Sequence, residues 1–430
     1  MERARPLLLA ACLTLVAGRG AAQEPAVAPL PAEPSATSDA RPGLWRLGSL
    51  YLTPTFHVGN VGIDTNVLFQ AEDRKRDVSV SGGPGLDLVL PATSSLQLWA
   101  SGLVDYLYFA ETPEQRRLTG TGRAGIRYDS GVFLAAAEHS YQSSFNRPST
   151  QVDDRVDQVV QHSRVDLGVG GSARRLGVSL AGNLTRYDIE GGQVYLGADL
   201  RANLARDEYL AQAALRYRLT PKTSLVLLGD YQWDRFLEKP LRDADSNRAM
   251  GGFEVVSETR LQGRALGGVR SFRPRAFDAT RLFAVADVQL AYNVSPKTRF
   301  EARFQRDLNY SAFVTSGPTP TAATESYGLG LMKVLVARLD LRVSGSLNRL
   351  AYDGDVLLDL PDQGPLLAPR DDEYWLASAD LGYTFGERFR LGFAASYADR
   401  NSSISYFGVN GLVLGATIVY SGTPTVTVRP

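Results

Sequence analysis

Alternation of oily and polar side chains between Arg206 and Phe236 is the feature that most restricts the fold of this chain. In its first half the odd positions are apolar or aromatic and most even positions are polar. Successive side chains of a strand point to opposite faces, so this period of two predicts a strand with one oily and one charged face. The segment TPKT at 220–223 reverses the chain before alternation resumes, which predicts a β-hairpin. The oily positions of the first strand are Tyr209, Ala211, Ala213, Leu215, Tyr217 and Leu219.

The same hairpin unit recurs along the chain, and its connections are sorted by length. Short turn signals occur at 91–95, 129–131, 171–175, 220–223, 258–260, 295–298, 336–339 and 385–388. Longer polar stretches lie between them at 67–76, 109–117, 146–157, 187–206, 237–247, 274–279, 311–323, 353–372 and 400–406. Eight short turns and nine long loops join 18 strands, and this sorting is typical of bacterial outer-membrane barrels. We predict an all-β fold, a transmembrane antiparallel up-and-down β-barrel of about 18 strands, with short periplasmic turns and long extracellular loops.

Two further segments indicate which environment each face of the wall meets. In 299–310 and 388–400 an oily row alternates with a charged row, and the oily rows end in Tyr310 and Tyr397. We expect the oily face to contact lipid and the charged face to line a water-filled interior, because a cation facing hydrocarbon costs about 2–4 kcal/mol at the bilayer midplane. The terminal aromatic residues predict interfacial girdles. Arg306 and Arg349 fall on the oily rows, and we expect them at the outer rim, where snorkelling or a bulge relieves them.

The first residues predict export. Arg3 and Arg5 precede the apolar run LLLAACLTLVAG, which is typical of a secretory signal peptide cleaved after about Ala22. The alternative is a lipoprotein cleavage box at Cys12, the only cysteine. The stretch that follows is rich in proline and typical of a flexible periplasmic leader. The predicted organisation, in the outer membrane of a Gram-negative bacterium, is a signal peptide at 1–22, a leader at 23–45, a barrel at 46–420 and a C-terminal tail at 421–430.

Composition excludes several other classes of protein. The 46 basic and 46 acidic residues balance, which gives a nucleic-acid partner no electrostatic support. After the N-terminal run, no stretch approaches the roughly 18 consecutive apolar residues of a membrane helix. A chain with one cysteine has no disulfide framework, so hydrogen bonding and burial must hold the fold.

We expect outer-membrane lipid, lipopolysaccharide and the barrel assembly machinery as partners.

Short motifs in this chain resemble those of a known family of barrels. They occur in GNVGIDTNVLF at 59–69, DADSNRAMGGFEVV at 243–256 and YADRNSSISYFGVNGLVLGATIVY at 397–420, together with the hairpin described first. The chain resembles the outer-membrane β-barrel porin family often called β-barrel porin 2, and the matching motif residues are Asp64, Asn66, Asp243, Asp245, Ser246 and Asn247. The resemblance implies an outer-membrane location and, for members like exopolysaccharide-cluster barrels, polysaccharide and export-system proteins as partners. The tail SGTPTVTVRP departs from the aromatic end that many such barrels present to the assembly machinery.

No catalytic residue, metal site or cofactor is predicted. His57, His139 and His162 lie in separate predicted strands without a serine or aspartate at a recognisable motif spacing, so we expect lumen or interface polar groups. An outer-membrane hydrolase stays an alternative. Segment 243–254 fills four EF-hand positions, but Arg248 replaces the turning glycine and no helices flank it. A polar loop that leads into a strand is therefore preferred to a calcium site.

The charged faces of the strands supply candidates for lining a pore. These candidates are Arg216, Arg218, Asp230, Asp287, Arg299, Glu301, Arg303, Asp307 and Arg342. Such charges either cross-link the wall as pairs or line an aqueous path whose selectivity they set. Pairing is favoured for most of them, with Arg299 and Arg303 as candidates for contact with a solute. The acidic loop 353–373 is interpreted as a solvated surface loop, with a lumen constriction or a cation-binding surface as alternatives.

The predicted function follows from the predicted size of the barrel. Barrels of about 16 to 18 strands are wide enough to leave an aqueous channel, so we expect passage of solute across the outer membrane. Support of polysaccharide export is the form that the resemblance implies, and a general diffusion porin is the alternative of the same class. A structural or adhesive surface barrel without an open pore is the alternative from another class. An energised receptor is disfavoured, because a barrel of about 22 strands with a plug does not fit 430 residues.

Overall fold

A computed structural model describes residues 45–170, 175–255, 260–277, 280–316, 321–336, 338–361, 364–386 and 388–421. The predicted signal peptide at 1–22, the leader at 23–45 except its last residue and the tail at 421–430 except its first lie outside the described residues. Their predicted boundaries therefore stay predictions.

Eighteen antiparallel strands form one closed barrel, which confirms the predicted fold class. The wall strands are β1 Leu50–Asp64, β2 Asp77–Pro91, β3 Leu96–Phe109, β4 Arg117–Asp129, β5 Phe133–Asn146, β6 Val156–Val169, β7 Leu176–Ile189, β8 Arg206–Arg218, β9 Thr223–Phe236, β10 Ala244–Val255, β11 Leu261–Pro274, β12 Arg281–Ser295, β13 Thr298–Tyr310, β14 Thr321–Val336, β15 Leu339–Leu360, β16 Gly364–Phe385, β17 Phe389–Ser402 and β18 Val409–Ser421.

The wall is built from neighbours in the chain and closes between its two ends. Each strand pairs with the next, and β1 pairs with β18 from Thr55–Ser421 at one end to Asp64–Val413 at the other. A bulge lies between Val58 and Val61 in this closing pair. Closure removes the free edges at the two ends of the sheet, which is what a β structure surrounded by lipid requires.

The short connections lie at one end of the barrel and the long ones at the other, which we call the inner end and the outer end. Local side chains build the short turns as the sequence predicts. Asp129 Oδ1 accepts from the Gly131 nitrogen at 2.8 Å, and Gly131 has a left-handed φ of 81° that suits glycine. Thr220 Oγ1 accepts from the Thr223 nitrogen at 3.0 Å in the turn between β8 and β9. By the general rule for these barrels the outer end is the extracellular one.

The outer connections carry short elements of their own. These are helix α1 Leu200–Leu204, the two-residue strands Val194–Tyr195, Ala198–Asp199 and Val314–Thr315, and the 3₁₀ turns Pro113–Gln115, Pro240–Arg242 and Ser405–Phe407. A further short strand, Trp45–Leu47, pairs with the start of β1 at the inner end. Among the described residues, no helix combines the length and the apolar character that crossing a membrane requires.

The longest hairpin corrects the sequence prediction for 353–372. This segment was predicted as a loop because its acids dominate the pattern, whereas β15 continues to Leu360 and β16 begins at Gly364. Pairing of the two strands resumes at Asp355–Pro369 after a register shift beyond Ala351–Asp371. The hairpin therefore extends well beyond the strands around it.

Aromatic side chains form two outward-facing groups, one near each end of the wall. Tyr383 and Phe385 are 4.6 Å apart between ring centroids near the inner end, and Tyr209 stacks on Trp233 at 5.7 Å near the outer end. Girdles at these two levels suit the two interfaces of a membrane. The inner group contains Tyr217, Tyr292, Phe300, Tyr383, Phe385, Phe389 and Tyr420, and the outer group contains Tyr209, Tyr231, Trp233, Tyr327 and Trp375.

Arg306 and Arg349 face outward beside the outer aromatic group, and each pairs with a glutamate. Arg306 contacts Glu325 at 3.5 Å, and Arg349 contacts Glu373 at 3.1 Å. The indole nitrogen of Trp375 donates to Glu373 at 2.8 Å. Arg306 lies in the outer half of β13, and Arg349 is the eleventh of the 22 residues of β15. The rim position expected from the sequence therefore stays a prediction. The glutamate partners were not foreseen.

Candidate functional site

Contacts between strands that are not neighbours identify the inner face, because only side chains inside the barrel can reach past an intervening strand. His57 of β1 lies 2.8 Å from Asp105 of β3, and Arg248 of β10 lies 3.2 Å from Asp307 of β13. The alternation that starts from these residues places all nine pore-lining candidates on the inner face. They are Arg216, Arg218, Asp230, Asp287, Arg299, Glu301, Arg303, Asp307 and Arg342.

The candidates of the outer half are buried in ion pairs. Arg248 contacts Asp230 at 2.7 Å as well as Asp307, and Arg270 contacts Asp307 at 3.0 Å. Asp287 forms a separate buried pair with Arg264. Removing one member of a buried pair costs about 3–5 kcal/mol, since it leaves an uncompensated charge. These carboxylates therefore cross-link the wall and are not accessible to a passing solute.

A dry patch lies directly beneath this network on the inner face. Val226 and Leu228 interrupt the polar rows of β9 in the sequence, and both side chains point inward and are buried. Apolar residues of the adjacent strands pack beside them, which fills this sector of the barrel. The patch consists of Ala214, Val226, Leu228, Met250, Leu266 and Val285, with Phe283 packed against it.

Four candidates of the inner half remain open to water, whereas Arg216 pairs with Glu254 at 2.6 Å. Arg299 contacts Glu301 at 2.8 Å, and the Glu301 side chain is 48% exposed. Arg303 donates to Gln305 at 3.0 Å, and Arg342 lies 3.4 Å from Asp340. Cations and anions thus share one polar vestibule near the short turns, and Arg299 and Arg303 can reach a solute in it.

A buried arginine at the foot of the barrel was not predicted. Arg390 contacts Asp340 at 2.8 Å and also pairs with Asp380. Its guanidinium lies directly against Gly382, where a Cβ would overlap it. A side chain at position 382 would displace this guanidinium from its carboxylates, and sequence periodicity does not reveal such an approach.

The outer end of β13 leaves the wall and bends into the lumen. Its last pair with β12 is Ala286–Arg306, whereas β12 stays paired with β11 up to Arg281. Beyond Arg306, within the described part of both strands, β12 and β13 form no pairs. The Tyr310 hydroxyl instead donates to Asp234 of β9 at 2.8 Å. The prediction that Tyr310 belongs to an outer girdle is wrong, because this tertiary contact overrides the alternation.

Loops from opposite sides of the barrel meet across its outer mouth and form what we call the loop cap. The loop cap comprises residues 147–155, 190–205, 311–316, 352–361, 364–370 and 403–408. Its interior is a continuous apolar core, in which each fully buried large side chain contributes about 1.5–3 kcal/mol. Two ends of wall strands, Val156 and Ile189, join this core. Its buried residues from the loop cap are Val152, Tyr195, Ala198, Leu200, Leu204, Ala312, Phe313, Val356, Leu358, Leu360, Ile404 and Phe407.

Hydrogen bonds join the two sides of the loop cap. Asn203 of the β7–β8 loop donates to the Ala312 oxygen at 2.8 Å. Gln151 accepts from the Ala312 nitrogen at 2.8 Å. The Asp359 nitrogen, in the β15–β16 hairpin, donates to the Leu196 oxygen at 3.0 Å. The acidic hairpin therefore lies across the mouth with its apolar side in the core, which is closer to a constriction than to the solvated loop favoured from the sequence.

Two buried arginines hold the polar side of the loop cap. Arg400 contacts Asp153 at 2.7 Å, and Arg370 contacts Asp372 at 2.6 Å while it lies 3.5 Å from the Phe407 ring centroid. Stacking of a desolvated guanidinium on an aromatic face contributes about 2 kcal/mol. Burial and the nearby Asp153 raise the pKa of Tyr195 well above its ordinary value, so its hydroxyl remains a donor to that carboxylate.

The first motif of the resemblance closes the barrel at its outer end. Asn66 is buried and donates to the Gln70 oxygen at 2.8 Å and to the Asn410 oxygen at 2.9 Å, which ties the loop after β1 to the start of β18. Asp64 accepts from the Asn66 nitrogen at 2.9 Å. These two residues therefore have a structural role.

The second motif runs along β10 and forms no calcium loop. Asp243 accepts from the Phe236 nitrogen at 2.8 Å, Ser246 faces inward and is buried, and Asp245 and Asn247 face outward. Alternation along a strand separates the side chains that an EF-hand would bring together. Within the described part of the chain, no group of three or more His, Cys, Asp or Glu side chains could hold a metal ion.

The three histidines lie apart, but one of them meets a serine that the sequence did not indicate. His139 Nδ1 lies 2.9 Å from Ser163 Oγ on the outward face of β5 and β6, whereas His57 and His162 face inward. Among the described residues, the other ring nitrogen of His139 has no orienting acid or amide. The pair also lies in the middle of its strand, facing the lipid side, where hydrolytic water is scarce. It does not form the nucleophile, base and orienting group that hydrolysis needs.

A closed 18-strand barrel with an oily outer face and a charged inner face defines the class of outer-membrane β-barrel proteins. The family described as "Putative beta-barrel porin 2" matches residues 45–421, and the chain belongs to this family. Barrels of this porin-like class reside in the Gram-negative outer membrane. None of the curated proteins matches the chain.

Solved outer-membrane barrels are similar to the chain at low identity. The copper transporter OprC is 11% identical with a TM-score of 0.44, over 84% of this chain and 64% of its own. The siderophore receptor PirA from Pseudomonas aeruginosa is 9% identical with a TM-score of 0.43, over 88% of this chain and 81% of its own. OccAB4 from Acinetobacter baumannii is 12% identical with a TM-score of 0.43, over 86% of this chain and 97% of its own.

Proposed function

We propose that the protein is an outer-membrane channel for a polar solute, closed in this structure by its loop cap. The observation that carries the proposal is the contrast between the two ends of the lumen. The inner half presents water-accessible charges from Arg299, Glu301, Arg303 and Arg342, whereas a buried apolar core spans the outer mouth. Hydrated charges of both signs at one end of the lumen allow a polar solute to enter it, which a dry, fully paired wall would not.

Opening requires the loop cap to move, and the bent end of β13 supplies the element that moves. Extension of the existing register would place Leu308 opposite Ala284 and Tyr310 opposite Leu282, with all four side chains outward. Leu282 is 78% exposed in the closed state and lacks such a neighbour. Return of β13 to the wall would pull Ala312 and Phe313 out of the loop cap and open the mouth.

Support of polysaccharide export is the proposed form of the transport, and it rests on the resemblance to exopolysaccharide-cluster barrels. The lumen wall opposite the dry patch suits a hydroxylated polymer, because it carries small hydroxyl side chains. Ser344 and Ser378 are 2.6 Å apart there, and Ser396 continues the same row. Arg299 and Arg303 would meet the solute in the vestibule, and export-system proteins on the periplasmic side would deliver it.

Single-channel conductance of the full chain, purified folded from bacterial outer membranes, tests the proposal. The informative variant replaces residues 353–369 with Asn-Gly, which shortens the hairpin above the Ala351–Asp371 pair. A control variant keeps the hairpin length and carries Asp355→Asn and Asp359→Asn. We expect rare openings from the wild type and the control, and steady ohmic steps from the shortened variant. Arg299→Ser and Arg303→Ser in the shortened background should then reduce anion selectivity.

A folded shortened variant that stays silent would contradict the channel and favour the second candidate, a structural or adhesive surface barrel. The sealed apolar core of the loop cap is the observation that favours this candidate. Loss of the heat-dependent shift in gel mobility, by which folded barrels are recognised, would expose a misfolded variant before conductance is interpreted. Hydrolysis of outer-membrane lipid by the wild type that vanishes in His139→Ala would instead establish the hydrolase alternative.

A further inference from the structure

Three arginines converge on the outward face of β9–β11 around one carboxylate. Arg235 contacts Asp245 at 2.8 Å, and Arg275 contacts the same carboxylate at 3.4 Å. Arg273 is the register partner of Asp245 and points outward beside it. Among the described residues, no carboxylate pairs with Arg273. Asp243 lies beside this group, since its side chain accepts from the Phe236 nitrogen and its backbone oxygen accepts from the Arg275 nitrogen. The described residues of the group therefore carry three positive and two negative charges, which leaves one cation in surplus.

The height of this group places it at the membrane surface. Arg273 lies twelve residues beyond Leu261, where β11 begins. A rise of about 3.3 Å per residue and a tilt of about 40° put its Cα roughly 30 Å above the inner end, beyond an apolar band about 25 Å tall. Trp233 precedes Arg235 by two residues on the same outward face of β9, so the outer aromatic group lies directly below the arginines.

Two other groups of outward charges are balanced. Arg186 contacts Asp207 through two bonds of 2.7 Å, and the row across β13–β16 alternates Arg306, Glu325, Arg349 and Glu373. Unlike these rows, the group around Asp245 has an excess of positive charge that an external anion can neutralise. Guanidinium groups bind phosphate through paired, charge-assisted hydrogen bonds, and phosphate is the anion present where this surface meets the outer leaflet.

We propose that Arg235, Arg273 and Arg275 form a binding site for a phosphate of an anionic outer-leaflet glycolipid. The headgroup phosphate lies between Arg273 and Arg275, and Asp245 orients Arg235 and Arg275 beside it. The acyl chains extend downward over the outward side chains of Tyr231, Trp233 and Val269, which offer apolar surface. The site is independent of conductance, because it lies on the outer face of the wall.

Native mass spectrometry of the full chain in detergent tests this site with lipid A carrying two phosphates. The variant is Arg273→Gln with Arg275→Gln, and the matched control is Arg306→Gln with Arg349→Gln, which removes the same charge from the balanced row. Loss of two charge-assisted contacts should weaken binding at least tenfold in the first variant only. Lipid A without phosphates should bind the wild type as weakly as the variant binds the phosphorylated lipid.

Three results would overturn the proposal. Equal affinity of both variants would show that total charge, not this group, determines binding. Undiminished binding of phosphate-free lipid A would show that the acyl chains alone provide affinity. Displacement of bound lipid A by millimolar free phosphate, as complete as displacement by added lipid A, would identify a site for soluble phosphate. The heat-dependent gel shift of each variant confirms that a loss of binding comes from a folded barrel.

Discussion

The Tyr310 hydroxyl donates a hydrogen bond of 2.8 Å to Asp234, although the two residues belong to strands four positions apart in the barrel wall. The bond is possible only because β13 bends across the inner faces of β10–β12. The Tyr310 ring also packs at 4.9 Å from Phe236 and at 6.0 Å from Phe272. One aromatic residue thus holds the bent strand end, and that strand end leads directly into Ala312 and Phe313 of the loop cap.

Tyr310→Phe should loosen the closed state without removing these ring contacts. A hydrogen bond to a charged acceptor contributes about 1.5–3 kcal/mol, and about 1.4 kcal/mol corresponds to a tenfold change in an equilibrium. We expect the open fraction in single-channel recordings to rise about tenfold or more. Tyr327→Phe is the control, because it removes an outward hydroxyl that donates to Glu325 at 3.1 Å. Equal effects of the two variants would mean that Tyr310 does not hold the gate.

A cysteine pair can trap the return of β13 to the wall. Ala284 and Leu308 become register partners only if the β12–β13 pairing extends beyond Ala286–Arg306. Oxidised Ala284→Cys with Leu308→Cys should therefore form a disulfide slowly and raise conductance, and a reducing agent should reverse the rise. Ala286→Cys with Arg306→Cys joins residues that are already paired and should cross-link at once without a conductance change. A cross-link at 284–308 that leaves conductance unchanged would refute this gating movement.

Period-two alternation was sufficient to predict 18 strands, most of their inward and outward faces and the sorting of connections, but not the extension of β15 and β16 or the face of Tyr310. The alternation of Arg299, Glu301 and Arg303 with Phe300 and Phe304 reports directly on the pleat of one strand. It carries no information about contacts across the lumen, because these depend on which distant strands face each other. The buried pairs of Asp230 and Asp307 and the inward bend at Tyr310 are of this kind.

The hairpin tip was misjudged for a related reason. Acids between Asp353 and Glu373 indicate exposure when they are counted, yet Val356, Leu358 and Leu360 alternate beneath them and enter the core of the loop cap. Counting the acids of the whole segment conceals the alternation when only three apolar side chains form the buried face. The partners of that face come from four other loops, so no local pattern could have revealed the loop cap.

Gly382→Ala should destabilise the inner end of the barrel. A methyl group at this position overlaps the guanidinium of Arg390, which must then leave Asp340 and Asp380. Overpacking costs about 1–3 kcal/mol, and separation of the buried charges adds to it. The urea midpoint of unfolding in detergent should fall accordingly. Gly330→Ala is the matched inward control, because its new methyl meets Glu301 at an ordinary 3.6 Å, and a similar loss there would contradict the role of Arg390.

Asn66→Ala should weaken closure of the barrel between β1 and β18. The buried amide donates hydrogen bonds to the Gln70 and Asn410 oxygens and accepts one of 3.0 Å from the Gln70 nitrogen. Alanine leaves all three backbone groups without this partner. At about 1 kcal/mol for each bond, the free energy of unfolding should fall by about 2–4 kcal/mol.

The structural change in Asn66→Ala should be concentrated in the loop after β1, because the Asn66 amide holds this loop by hydrogen bonds. Limited proteolysis of the folded variant should cleave within 67–76 sooner than in the wild type, and the gel shift should occur at a lower temperature. Asn401→Ala, at an exposed position of β17, should leave both measurements unchanged. An unchanged cleavage rate in Asn66→Ala would mean that the remaining pairs of the seam, from Thr55–Ser421 to Asp64–Val413, hold the closure on their own.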